Sequence, residues 1–141
     1  MKRIFYFLLL PALACSQSSS DIYTTVNESM KAQEKCWNSF DIDGFMNYYW
    51  KSDSLMFIGS KGITYGWSQT LSNYKKSYST KELMGELHFE NLSFDRLCDS
   101  VIQVIGKWKI IRKDGSDIGG IYTLLWKYID NKWVIVKDHT S

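Results

Sequence analysis

The chain is poor in the residues that mark most chemistries. Two histidines and three scattered cysteines among 141 residues fall short of the ligand spacing of a zinc site. Gly-rich phosphate loops and a G-x-S-x-G elbow are absent. There is no charge run, and Lys and Arg (17) barely outnumber Asp and Glu (15). Lys2 and Arg3 fall in a leader that holds no acid, so the rest of the chain balances base against acid. That balance argues against a nucleic-acid footprint, which needs clustered cations to displace counterions. The leader's apolar stretch, residues 4–10, is far shorter than the roughly 20 residues that cross a bilayer as a helix. What remains is a length suited to one domain with a single core.

The leader reads MKRIFYFLLLPALACSQSSSD: two cations, an apolar stretch, small residues and a cysteine. This is the order of a secretory signal. Two cuts fit. Ala12-Leu13-Ala14 suits an ordinary A-x-A site. Cys15 directly after it resembles a lipobox, in which the cysteine is lipidated and becomes the new N-terminus, although Ala12 stands where Leu is usual. The polar tether SQSSS favours the second cut, because an anchored domain needs one. The expectation is a signal peptide over 1–14, a lipidated Cys15 with a tether to residue 20, and an exported lipoprotein of the bacterial envelope. A soluble secreted or periplasmic protein is the alternative. Of the other cysteines, Cys36 and Cys98 are read as two buried free thiols, the alternative being a disulfide.

From Asp21 the chain divides into a helical half and a stranded half. Ile22, Val26, Met30, Gln33, Trp37 and Phe40 recur at three- and four-residue spacing, which gives an amphipathic helix started by Ser20 or Asp21. Phe45, Met46, Tyr49 and Trp50 share a side of a second, short helix capped by Asp41 or Asp43. LMFIGSKGITYG reads as a small hairpin, and Trp67, Leu71, Tyr74 and Tyr78 line a third helix over 67–79, entered at Gly66. Four strands follow, near 83–96, 99–112, 117–129 and 132–140, with hairpin signals at Asp114-Gly115 and Asp130-Asn131. Ile102, Val104, Gly106, Trp108 and Ile110 alternate with Gln103, Lys107 and Lys109, so one face of the sheet is apolar and the other mostly wet. Gly106, Gly119 and Gly120 sit inside strands, where glycine allows a bulge, a bend or a close approach, and are read as places where the sheet curls. The sheet is expected to be antiparallel and consecutive, in an α+β layer arrangement with one concave side.

The helix pair around CWNSFDIDGFMNYYWKSDSLMFIG, then GITYGW, GKW, GGIYTLLW and DNKWVIVKDHTS, together resemble the nuclear transport factor 2-like, or SnoaL-like, superfamily over residues 21–141. The resemblance implies a cone: three N-terminal helices packed in the concave face of a curved, mainly antiparallel sheet, around a pocket. It also implies homodimers through the sheet's outer face. It does not imply one activity, because isomerases, cyclases, dehydratases and plain binding modules share the fold. Ketosteroid isomerase, a member, uses an Asp base with an oxyanion hole of a Tyr and a protonated Asp. Aligning SDSLMFIG with the family's first strand puts Ile58 at the base position, where it cannot take a proton. The nearest counterpart of the oxyanion tyrosine is Trp37, whose N–H can only donate.

The ionisable candidates for a pocket are Asp53, His88, Asp138 and His139. His88 alternates with Glu86 and Glu90, as on a solvated face, and Asp53 reads as part of the turn after the second helix. Neighbours in a strand point to opposite faces, so Asp138 and His139 do not address one cavity together. His139 shares parity with Trp133 and Ile135, and Asp138 with Val134 and Val136. This parity places His139 at a pocket rim or makes it a clasp between strands. Side chains with an apolar body and a polar tip suit a pocket wall: Tyr49, Trp50, Trp67, Tyr74, Trp108, Tyr122 and Trp126. The expected function is binding of a small, partly apolar ligand, with no cofactor, metal or nucleic acid. Acid-base catalysis of the SnoaL-like kind is the alternative.

Overall fold

The computed structural model describes residues 19–141; the leader and Cys15 lie outside them. The first helix, α1 (Ser19–Asn38), begins within two residues of the expected start. Its buried side chains Ile22, Val26, Met30, Gln33 and Trp37 follow the spacing read from the sequence. Phe40 does not join them. It stands past the helix end at φ 64° and is 41% exposed, because a left-handed residue turns the chain away from the helix face. The second helix, α2 (Ile42–Met46), is capped by Asp41, whose side chain accepts from the Gly44 N–H. After the hairpin β1 (Met56–Gly59) and β2 (Gly62–Tyr65), α3 (Trp67–Ser77) starts behind Gly66.

A fourth helix, α4 (Lys81–Met84), occupies the first residues of the expected long strand. Thr80 caps it by accepting from the Leu83 N–H. The sheet continues with β3 (Glu86–Cys98), β4 (Val101–Ile111), β5 (Ile118–Ile129) and β6 (Lys132–Thr140). Asp130 and Asn131, at φ 49° and 62°, make the tight turn between β5 and β6. The β4–β5 connection is longer, and Asp114 and Asp117 hold it by accepting from Ser116 and Arg112.

The six strands lie in the order β2-β1-β6-β5-β4-β3. Pairing is antiparallel except between β1 and β6, which run parallel over Met56, Phe57 and Ile58. The sheet is therefore mainly antiparallel, but β6 is a central strand inserted beside β1. Its inner face carries Ile102, Val104, Ile110, Tyr122, Leu124, Trp126 and Ile135 against α1 and α2 in one core. At ~25 cal/mol per Å² of apolar area removed from water, that core is the main stabilising term.

The edge of the sheet at β3 is covered by α1. Asn38 accepts from the Leu87 N–H (2.8 Å) and donates to the Leu87 carbonyl (3.0 Å), while Glu34 accepts from the Phe89 N–H (2.6 Å). These side chains take the places a neighbouring strand would fill. Bulges between Asn91 and Ser93 and between Arg96 and Cys98 bend β3 further along. Both remaining cysteines are free, as expected, but neither is buried: Cys36 is half-buried and Cys98, at that bent strand end, is exposed.

Candidate functional site

The final strand decides which residues meet inside the cone. Trp126 pairs with Ile135 but Leu125 with Lys137, so β6 holds one extra residue, Val136. A bulge of this kind resets the alternation of faces. Past it Asp138, not His139, takes the inner face. Asp138 is 3% exposed and lies between Leu124 of β5 and Phe57 of β1. His139 is exposed on the outer face, paired with Thr123 and Ile58. The rim position expected for His139 is thus corrected by a single inserted residue. Ile58 also turns outward, and its inward neighbour Phe57 faces Tyr74 with ring centroids 5.8 Å apart.

Around the Asp138 carboxyl the chain assembles hydroxyls and rings. Tyr49, set by the turn after α2 and by its bridge to Ile135, donates to Oδ2 at 2.6 Å. Thr140, two residues along the same strand face, donates to Oδ1 at 2.5 Å. The Tyr74 hydroxyl from α3 sits beside that of Tyr49. Phe45 packs against both rings, at 5.9 and 5.4 Å. Burial pushes the Asp138 carboxyl above the usual carboxylate range, opposed by the two hydroxyls and least by His139. The same burial, with the nearby carboxyl, raises the phenols of Tyr49 and Tyr74 well above their ordinary value.

A second polar chain runs beside the first. Tyr122, the strand partner of Thr140, donates to Asn91 Oδ1 at 2.5 Å, and Asn91 donates to Asn27 of α1 at 2.9 Å. Its phenol is raised by burial, then by Asp138, Glu34 and Glu90. Tyr122 reaches β3 by crossing Gly106, where a Cβ would collide with its hydroxyl and with the Glu90 carbonyl. Gly106, read from the sequence as a place where the sheet curls, thus admits the close approach of a side chain of the site.

Five of the eight pocket candidates, Tyr49, Tyr74, Trp108, Tyr122 and Trp126, stand on this inner side. Trp126 is wholly buried in the core, with its indole N–H unpartnered. Trp67 ties α3 to α2 by donating to the Met46 carbonyl (2.8 Å) and carries Lys51 over its ring. Trp50 joins the chain to β6 through its backbone N–H, which donates to the Ile135 carbonyl. His88 lies on the outer face beside Glu86 (3.4 Å), and Asp53 is exposed. Sequence reasoning named Asp138 without placing it and missed Thr140, Asn91 and Asn27. The one signal for Asp138 was an acid following apolar residues of its own parity.

Two hollows open on the surface. One, of about 280 Å³, lies between α2 and α3 and is lined by Phe40, Asp41, Ile42, Lys75, Tyr78 and others, with Lys75 and Asp43 paired across it. Tyr78, in its wall, stacks on Tyr74 at 6.0 Å. The other, of about 650 Å³, is a charged groove over Gly119 on the outer face of β3–β5, with His88, Glu90, Lys107 and Lys109 along it. Among the described residues no group of His, Cys, Asp and Glu could hold a metal ion.

A helix-backed, curled α+β sheet whose concave face holds a buried acid among tyrosines defines a cone-shaped domain of the nuclear transport factor 2 type. The chain is 37% identical to a nuclear transport factor 2-like protein of unknown function from Shewanella oneidensis, over 85% of this chain and 98% of that one, with a TM-score of 0.82. It belongs to the nuclear transport factor 2-like superfamily. A superfamily protein from Salmonella enterica (18% identity, TM-score 0.67, covering 88% of this chain and 92% of that one) shares the fold. So does a nuclear transport factor 2-like protein of unknown function from Pseudomonas putida (12%, 0.73, 89% of each chain). No family model and no curated protein matches the chain.

Proposed function

We propose that this domain binds a small, partly apolar molecule, and that the Asp138 carboxyl recognises its polar group. The supporting observation is the burial of that carboxyl inside an aromatic core, with two hydroxyls and no cation as hydrogen-bond partners. A buried carboxyl costs several kcal/mol, roughly, unless it is fully paired. An apolar residue would fill the place at no such cost, so a perturbed acid here points to a site. The test is mass spectrometry of what copurifies with the native protein, joined to a fragment screen by NMR. A ligand displaced by Asp138→Asn is expected. Empty protein, together with no fragment shifting resonances near Asp138, would refute the reading.

One observation favours the enzymatic alternative. Burial favours the protonated form of the Asp138 carboxyl beside the Tyr49 hydroxyl, and a protonated acid there is a donor for a developing oxyanion. Base catalysis of the isomerase type is still not expected, because neither Phe57 nor Ile58 accepts a proton. A β,γ-unsaturated ketosteroid should not turn over above background, where a working base supplies roughly 10²- to 10⁴-fold.

Anchoring by Cys15, outside the described residues, is part of the same proposal: the domain works at the envelope, held by lipid. A second copy is proposed to cover the outer face. There Ile105, Thr123, His139, Ile58 and Ile63 form one row across five strands, with Ile63 at its β2 end 55% exposed, and Ile121, two residues from Thr123 on β5, is 52% exposed. Sedimentation showing a monomer at micromolar concentration would refute it.

A further inference from the structure

We propose that the Asp138 site takes a small organic cation, an arylalkyl ammonium, which enters through the hollow at Tyr78 between α2 and α3. This rests on the reading of Asp138 as the ligand site and adds the charge and route of the ligand.

Three observations carry it. First, the surroundings of the carboxyl suit an acceptor. Tyr49 and Thr140 both donate to it, one to each oxygen, so both oxygens act as acceptors. Second, among the described residues the carboxyl has no cationic hydrogen-bond partner. The elements packed around it present Tyr49, Phe57, Tyr74, Leu124, Tyr122 and Thr140, and the one cationic influence is His139, acting from the outer face. Third, the walls are aromatic. Phe45, Tyr49, Tyr74 and Phe57 form a chain of ring contacts between 5.4 and 5.9 Å, and aromatic faces are negative and attract cations. An acceptor pair, π-faces and a missing counter-charge are together the complement of an ammonium group on an aromatic body.

The route follows from the rings. The hollow of about 280 Å³ has Tyr78 in its wall. Tyr78 stacks on Tyr74, whose hydroxyl adjoins Tyr49, which donates to Asp138. Rotation of Tyr78 and Tyr74 joins the hollow to the carboxyl, and the ligand's ring takes the place they leave.

Binding moves one proton. The ammonium arrives protonated, and wherever Asp138 of the free protein is protonated its carboxyl gives that proton to solvent as the ion pair forms. No bond to carbon changes. In the pH range where Asp138 of the free protein is protonated, affinity must therefore rise about tenfold per pH unit, then level once it is ionised.

The experiment is an NMR titration of the full-length protein with phenethylamine and, separately, with 2-phenylethanol, across that pH range. Phenethylamine is expected to shift the amides of Asp138, Tyr49 and Tyr74, to bind about tenfold more tightly than the alcohol or better, and to show the pH slope. Asp138→Asn should abolish the preference for the amine, and Ser79→Trp, at the exposed rim of the hollow, should weaken both probes without unfolding the protein. If the Asn variant does not fold, the slope in the unmodified protein decides alone. An alcohol that binds at the same resonances as tightly as the amine overturns the cation and leaves the ligand site standing. Amine binding with no pH slope, equal in Asp138→Asn, marks an adventitious contact and overturns the proposal. Neither probe shifting a resonance near Asp138 overturns it together with the site.

Discussion

Replacing Asp138 by Asn removes a charge while keeping the shape, and its effect on stability should depend on pH in a defined direction. In the unfolded chain an aspartate titrates near 3.9, roughly. In the fold, burial raises that value. Between the two, the native protein holds a proton that the unfolded chain has released, so the wild type loses stability as pH rises. The slope of a single group reaches about 1.4 kcal/mol per pH unit. The substituted asparagine does not titrate. Tyr49 can still donate to its amide oxygen, and its NH₂ can donate to the Thr140 hydroxyl, so the offset from altered hydrogen bonds is the same at every pH. Subtracting the two proteins cancels every other group, and the neighbouring phenols are raised out of the range. Urea unfolding at unit steps from about pH 4 should then show the variant gaining on the wild type, until Asp138 ionises in the fold and the gap becomes constant. A gap flat from the start would refute the argument. A wild type that gains as pH rises would mean a carboxylate kept ionised, with its value lowered.

Further outcomes follow from other residues. Gly106→Ala should destabilise by about 1–3 kcal/mol through collision with the Tyr122 hydroxyl and the Glu90 backbone, and Tyr122→Phe in the same chain should recover part of the loss in urea unfolding. Asn38→Ala strips both edge hydrogen bonds from Leu87 and should cost about 1–3 kcal/mol, with faster hydrogen exchange at the Leu87 amide as its local sign. His139→Ala, on the outer face, should leave ligand binding unchanged and stability within about 0.5 kcal/mol, which thermal melts would check. Cys15→Ala should move the protein from the membrane fraction to the soluble one; wild-type protein without lipid mass would exclude the anchor.

Regular alternation made much of the fold legible. The row Ile102, Val104, Gly106, Trp108 and Ile110 reads as one face because Gln103, Lys107 and Lys109 stand between its members, and α1 reads from its spacing alone. What failed to show lacks a local mark. The bulge at Val136 uses an ordinary strand residue, so nothing in the sequence announced that Asp138 and His139 exchange faces. The short helix Lys81–Met84 ends in Leu83 and Met84, which with Leu87 imitate the start of a strand. The parallel pairing of β1 with β6 is a choice of partner, and period-two patterning specifies a face, not a neighbour. The aromatic side of the site could be named from composition. The acid at its centre needed the register.

The parallel splice also bears on the order in which the molecule is built. β3, β4, β5 and β6 follow one another through turns and can pair as they appear, whereas β1 is made long before its partner β6. Closing that long loop costs entropy before any contact repays it, so the β1–β2 hairpin joins late in folding. Asp138 and Thr140 sit at the end of β6, between β1 and β5, and Tyr49 comes with the early segment. During synthesis the helices and the hairpin wait with an apolar face uncovered, and the site closes only after β6 has been made. A mutation that weakens β6 pairing should therefore raise the load on folding factors before it alters the finished protein.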